Sequence, residues 1–214
     1  MSQAQPAVGQ VIILNGVPRS GKSSIAAAIQ QTFEGVWMNL GVDRYMQMTP
    51  AQYQPGIGLR PGGERPDLEL MIVTMYRALY ASIAAHSRLG LNVVADIGHH
   101  DAYSEPRGIL PRAARQLAGL PVLLVGVRCP LEVVMERRRA TWGDKLSDDG
   151  LSDDGAIPPP VRRWQDAVHT PVIYDLEVDT SIHTPEACAE LITCRLRDPA
   201  PATAFQRLAE LPEV

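Results

Sequence analysis

"VIILNGVPRSGKSSIAAAI", residues 11–29, decides the fold. An apolar, β-branched run ends at Asn15, a turn with Gly and Pro interrupts it, and Gly21-Lys22-Ser23 opens an alanine-rich segment. Gly16, Val17, Pro18, Arg19, Ser20, Gly21, Lys22 and Ser23 satisfy G-x-x-x-x-G-K-[ST] at every fixed position, with a strand expected before and a helix after. Glycines let successive backbone N–H groups turn inward around phosphate oxygens. A helix N-terminus adds unsatisfied donors and a positive partial charge, and Ser24 falls in that same first turn. Lys22 is expected to reach the β- and γ-phosphates and the Ser23 hydroxyl to sit on Mg²⁺. Neither N-K-x-D nor D-x-x-G occurs, which favours ATP over GTP. The expected cofactors are ATP and Mg²⁺.

Outward from this loop, short apolar runs alternate with helical patterns. Val11–Asn15, Val36–Gly41, Asn92–Asp96, Val122–Arg128 and Ile173–Val178 are the expected strands. Their hydrophobicity is continuous, not alternating, as in parallel strands covered on both faces. The helical pattern is clearest from Asp67 to about Leu89, where Leu68, Ile72, Met75, Leu79 and Ile83 form one stripe, with Asp67 as the expected N-cap. The expected fold is α/β: a central five-stranded, mainly parallel sheet flanked by helices, with a phosphate loop at its edge. One domain is expected over residues 1–198, with loops at about 49–66 and 143–160 and a peripheral tail over 199–214. Residues 146–155, "LSDDGLSDDG", are an immediate duplication that lacks calcium-loop spacing and reads as a solvated insertion.

The 214 residues are 45% hydrophobic and 21% charged, a globular balance. A net charge of −4 gives no global attraction to nucleic acid or anionic membrane, so neither is an expected partner. The N-terminus lacks a signal-peptide pattern, no apolar run approaches bilayer length, and the three cysteines are unpaired by spacing. A cytoplasmic enzyme is expected. A homo-oligomer is compatible with all of this.

A phosphate loop serves motors, switches and kinases alike, so something must position an acceptor. Asp43, in "NLGVDRYMQM", follows the second strand on the sheet edge where ligands of open α/β sheets bind. A carboxylate there suits the proton of an acceptor hydroxyl; capping the next helix is the plainer alternative. Asp96, closing "LNVVAD", has the form of a magnesium-side or substrate-orienting carboxylate, again with a cap as the alternative. His99 and His100 follow as expected exposed-loop or substrate-contact residues. Arg137 and Arg138, at the end of an expected helix before Thr141-Trp142-Gly143, suit either a solvated, dipole-favoured face or, as in small P-loop kinases, a lid whose arginine neutralises the transferring phosphoryl group. Met46, Met48, Tyr53 and Tyr103 are candidates for an apolar acceptor wall, although such residues are commonly plain core.

Together these residues resemble the chloramphenicol phosphotransferase-like P-loop kinases, which have a shikimate-kinase-like fold. The likeness covers most of the chain. It rests on "IILNG" with "SGKSS", "GVD", "GVRCPLE", "ERRRATWGDK" and "VH…YDLEVDTS…TPEACAELI". The resemblance implies transfer of the ATP γ-phosphate to a small-molecule hydroxyl, with Asp43 as general base, Gly16–Ser23 as phosphate loop and Arg137 or Arg138 as lid arginine. It implies a link to antibiotic resistance. This chain has Ala95-Asp96 where the family commonly has paired aspartates, and its acceptor-side loops differ from the namesake's. The acceptor is thus chloramphenicol, another antibiotic or natural product, or a sugar, nucleoside or shikimate-like metabolite. A slow ATP-hydrolysing regulator is the alternative outside the kinases.

Overall fold

The computed structural model describes residues 7–62, 65–142 and 157–212. The duplicated segment 146–155 lies outside them. Five parallel strands, β1 (Val11–Asn15), β2 (Trp37–Asn39), β3 (Asn92–Ile97), β4 (Val122–Arg128) and β5 (Leu176–Asp179), form one sheet in the order β2-β3-β1-β4-β5. Among the described residues eight α-helices accompany it: α1 (Lys22–Thr32), α2 (Val42–Gln47), α3 (Glu69–Arg88), α4 (Ile109–Gln116), α5 (Leu131–Trp142), α6 (Pro159–Ala167), α7 (Pro185–Arg197) and α8 (Ala204–Ala209).

The continuous apolar runs have the expected cause. Val11, Ile13, Val93, Ala95 and Leu124 face one layer with α3, α4 and α8, while Ile12, Leu14, Val94, Leu123 and Val125 face α1 and α7. The register sets Leu14 opposite Asp96 and Asn15 opposite Ile97, so the phosphate loop and the end of β3 leave the sheet side by side.

Boundaries moved where side chains intervened. β2 is an edge strand and is shorter than expected, though Leu40 N–H still bonds Val94 O at 3.1 Å. β5 begins later because Tyr174 turns inward over Gly126, where an added Cβ would lie 2.9 Å from the ring. Asp67 does not cap α3: it sits in a 3₁₀ turn, Pro66–Leu68, and accepts hydrogen bonds from the Arg65 guanidinium. The helical stretch Pro66–Arg88 is long and apolar enough to cross a membrane, with a mean hydropathy of 1.3, yet Ile72, Leu79, Tyr80 and Ile83 are buried in the core. Within residues 49–62, Ile57 and Leu59 are 3% and 1% exposed and anchor this stretch to the core.

Residues 199–212 are not peripheral, contrary to expectation, because α8 buries Ala204, Phe205 and Leu208 against the main core. Asp175 fixes it by accepting the Thr203 and Ala204 amides, and Arg115 donates to the Ala209 and Leu211 carbonyls.

Candidate active site

In the loop between β1 and α1, neither Gly16 nor Gly21 leaves ordinary room for a side chain. A Cβ on Gly16 would lie 2.5 Å from Val127 O, and Gly21 has φ +92°, a conformation that disfavours side chains. Lys22 Nζ donates to Gly16 O at 2.9 Å and Val17 O at 2.7 Å, so the amine is folded onto its own loop. Burial pushes its pKa down to about 8, against the opposing pull of the Asp96 and Asp43 carboxylates.

Ser23 Oγ donates to Asp96 Oδ2 at 2.5 Å. Asp96 is within β3 and only 7% exposed, so it is not a helix cap. Its carboxylate fits only because residue 41 is glycine: a Cβ there would stand 1.6 Å from Oδ1. Among the described residues no three His, Cys, Asp or Glu side chains gather as a metal site. A hydroxyl and one carboxylate, both hard oxygens, form the sparse donor set that suits Mg²⁺, which keeps waters and substrate phosphates as its other ligands.

Asp43 lies in the first turn of α2, whose N-cap is Gly41, and is exposed. It opens onto a cleft of about 660 Å³ shared with Lys22, Ser23, Asp96, Met46 and Arg137. Ile57, Gly58, Ile97 and Trp164 supply apolar wall on that side. At the far end, Arg137 Nη1 donates to Thr180 Oγ1 at 2.9 Å and Nη2 to Thr180 O at 2.7 Å, while Thr180 Oγ1 donates to Ser20 O. Thr180 and His183 also line this cleft, and sequence reading did not single them out. Arg138 lines a smaller adjoining cavity with Arg60, Pro18 and Trp164.

Other expected contacts lie elsewhere. His99 and His100 are 3% and 5% exposed, which corrects the exposed-loop expectation for both. His99 Nε2 bonds the Tyr80 hydroxyl at 2.6 Å, and burial, then the neighbouring His100, depresses its pKa to about 3. His100 bonds Leu59 O and packs at a tilt against the Tyr103 ring, with centroids 4.6 Å apart. Tyr53 and Tyr103 pack against the core, and Met48 is exposed; none of the three lines the cleft. A short polar residue, Asn15, was read only as a strand end, yet its amide meets three groups on two separate segments.

A parallel sheet in this order, a phosphate loop entering α1 and a strand-borne carboxylate on the loop's serine define a P-loop kinase fold. Comparison with known proteins agrees. Residues 9–197 match the family described as chloramphenicol phosphotransferase-like protein, and the chain belongs to that family of phosphotransferases. A Mycobacterium tuberculosis protein provisionally designated an O-phosphotransferase is 30% identical over 94% of this chain and 88% of its own length. The structure is similar to that of M. tuberculosis APS kinase in complex with AMPPNP and APS, with a TM-score of 0.62 and 18% identity over 90% of this chain and all (100%) of that one. It is also similar to a Deinococcus radiodurans tunicamycin resistance protein, with a TM-score of 0.59 and 18% identity over 88% and 96% of the two chains.

Proposed function

We propose that the protein transfers the γ-phosphate of ATP, with Mg²⁺, to the hydroxyl of a small organic molecule. The observation that carries this reading is the single cleft in which Lys22, the Ser23–Asp96 pair and Asp43 all take part. A triphosphate supplies the transferable group, and Mg²⁺ spreads charge over its oxygens. Ser23 and Asp96 would hold the metal, and the loop amides from Gly16 to Ser24 the phosphates. Lys22 would exchange its two carbonyl partners for phosphate oxygens, a stronger, charge-assisted pairing.

Asp43 lies in the same cleft, exposed and able to accept the hydroxyl proton as the oxygen attacks phosphorus. Arg137 stands beside the loop, within 3.5 Å of where a Gly21 Cβ would lie, and neutralises charge at the donor end. The wall of Met46, Ile57, Ile97 and Trp164 suits an acceptor with an apolar body, such as an antibiotic or other natural product. The provisional designation of the M. tuberculosis relative and the resistance function named for the D. radiodurans neighbour point the same way.

The test is incubation with γ-labelled ATP and a panel of hydroxylated compounds that includes chloramphenicol, sugars, nucleosides and shikimate. Label on one organic acceptor is expected. Label only in inorganic phosphate, across the panel, would leave a nucleotide-hydrolysing regulator instead.

A further inference from the structure

The residue that ends β1 is polar and almost fully buried: Asn15 is 1% exposed. Its amide leaves little unsatisfied. Nδ2 donates to Val168 O at 2.8 Å and to the Tyr174 hydroxyl at 2.9 Å, while Oδ1 accepts from the His99 backbone N–H at 2.8 Å. A carbonyl on one side and an N–H on the other permit one amide orientation only. The contacts continue beyond Tyr174, whose hydroxyl lies 2.7 Å from His169 Nδ1.

Asn15 is the residue before Gly16, whose carbonyl takes the Lys22 amine. His99 begins the turn after β3, three residues past the carboxylate that holds Ser23. Val168 and Tyr174 flank the segment between α6 and β5, and α6 brings Trp164 to the cleft. One side chain therefore fastens the phosphate loop to the segment after β3 and to the segment after α6, next to the Ile97 and Trp164 that line the cleft. We infer that Asn15 is a positioning residue for phosphoryl transfer, aligning the donor loop with the acceptor wall. It acts through these neighbours and touches neither substrate. This inference rests on the phosphotransfer reading above.

The variant Asn15→Asp tests it, because it changes two donor hydrogens and little shape. As a carboxylate, residue 15 would present an oxygen to Val168 O; protonated, it donates again. Burial raises the pKa of such a group. The titratable neighbours are Tyr174 and His169 on the 168–174 segment and His99 after β3, with Tyr80 of α3 behind His99. Lys22, Arg128 and Glu177 lie further out, each acting on His169 through charge.

Transfer from γ-labelled Mg-ATP, to chloramphenicol or to water, is measured from pH 5.5 to 8.5 as the ratio of variant to wild type. AMPPNP affinity and melting are followed in parallel. The ratio is expected to fall about 10- to 100-fold from low to high pH, the cost of an unmade buried bond. AMPPNP affinity should change by less than about threefold, since the loop amides and Lys22 remain. A ratio independent of pH overturns the role of Asn15, as does a loss that only tracks the unfolded fraction. Should this variant not fold at neutral pH, Tyr174→Phe decides: about 3- to 10-fold lower turnover with unchanged AMPPNP affinity is expected, and wild-type turnover overturns the inference. Wild type that labels nothing, not even water, condemns the phosphotransfer reading itself. An active wild type beside a pH-indifferent variant condemns only Asn15.

Discussion

Replacing Gly41 with alanine tests the metal-side geometry without touching a functional group. The Gly41 backbone has φ −68° and ψ 167°, which any residue adopts, so alanine brings no torsional strain. Its effect is steric. The new methyl would stand 1.6 Å from Asp96 Oδ1 and 2.8 Å from Cγ, and must part from Oδ1 by about 1.4 Å to reach a 3.0 Å contact. Asp96 belongs to a central strand paired on both sides and cannot retreat cheaply. Either its carboxylate rotates away from Ser23, or the turn between β2 and α2 shifts and takes Asp43 with it.

Overpacking of this kind costs about 1–3 kcal/mol. In a chain of this size that lowers the melting temperature by roughly 2–12 °C. Loss of the Ser23–Asp96 alignment should lower turnover by about 10- to 100-fold, as expected for one charge-assisted bond. The assay is labelled phosphoryl transfer beside a thermal melt. Gly58→Ala is the control: its methyl would fall 2.3 Å from Met46 Sδ, but the end of a flexible thioether yields, and a cost under about 1 kcal/mol is expected. Gly41→Ala with wild-type turnover and melting would refute both the steric argument and the placement of Asp96.

Asp43→Asn should lower turnover by about 10²–10⁴-fold with nucleotide affinity little changed, and full activity would remove Asp43 from proton transfer. The buried Lys22 amine, with its pKa near 8, binds its proton less readily than in the unfolded chain, so it adds stability as pH rises from about 8 towards 10. Melts of wild type minus Lys22→Met should rise over that window, and a flat difference would place the amine in solvent. Burial, more than the neighbouring Arg128, holds His169 near pKa 4, so stability falls as pH drops from 6.5 towards 4. His169→Gln should flatten that limb of the denaturation curve; an unchanged acid limb would show that other groups drive it.

The phosphate loop and the sheet were legible because each rests on a local rule. Fixed glycines around a lysine, and unbroken apolar runs, need no knowledge of distant residues. Met46, Asp43 and Asp96 could be placed at the right edge because strand ends determine it. The losses were tertiary. Two adjacent histidines in a loop look solvated, and only the fold reveals Tyr80, Leu59 and Tyr103 waiting to bury them. Asn15 offered one signal, a lone amide closing a run of four aliphatic residues in the sheet centre, where an unpartnered polar group is costly. Nothing local marks Gly41, since its φ is ordinary and its need is the space for a carboxylate some 55 residues later. The tail misled because prolines precede α8 and its apolar face is only one turn and a half long.

The carboxylate opposite Ser23 is carried by the backbone ladder itself, with Leu14 and Asp96 in register. Deleting one residue from β3 would reverse the faces of every side chain after it and swing that acid to the wrong layer. The segments at 49–62 and 98–108, by contrast, hang from the sheet as turns. If the proposed function holds, the carboxylate on the donor side is set by strand register, while Ile57, Gly58 and Gly98, which line the cleft from these segments, can vary without disturbing that register.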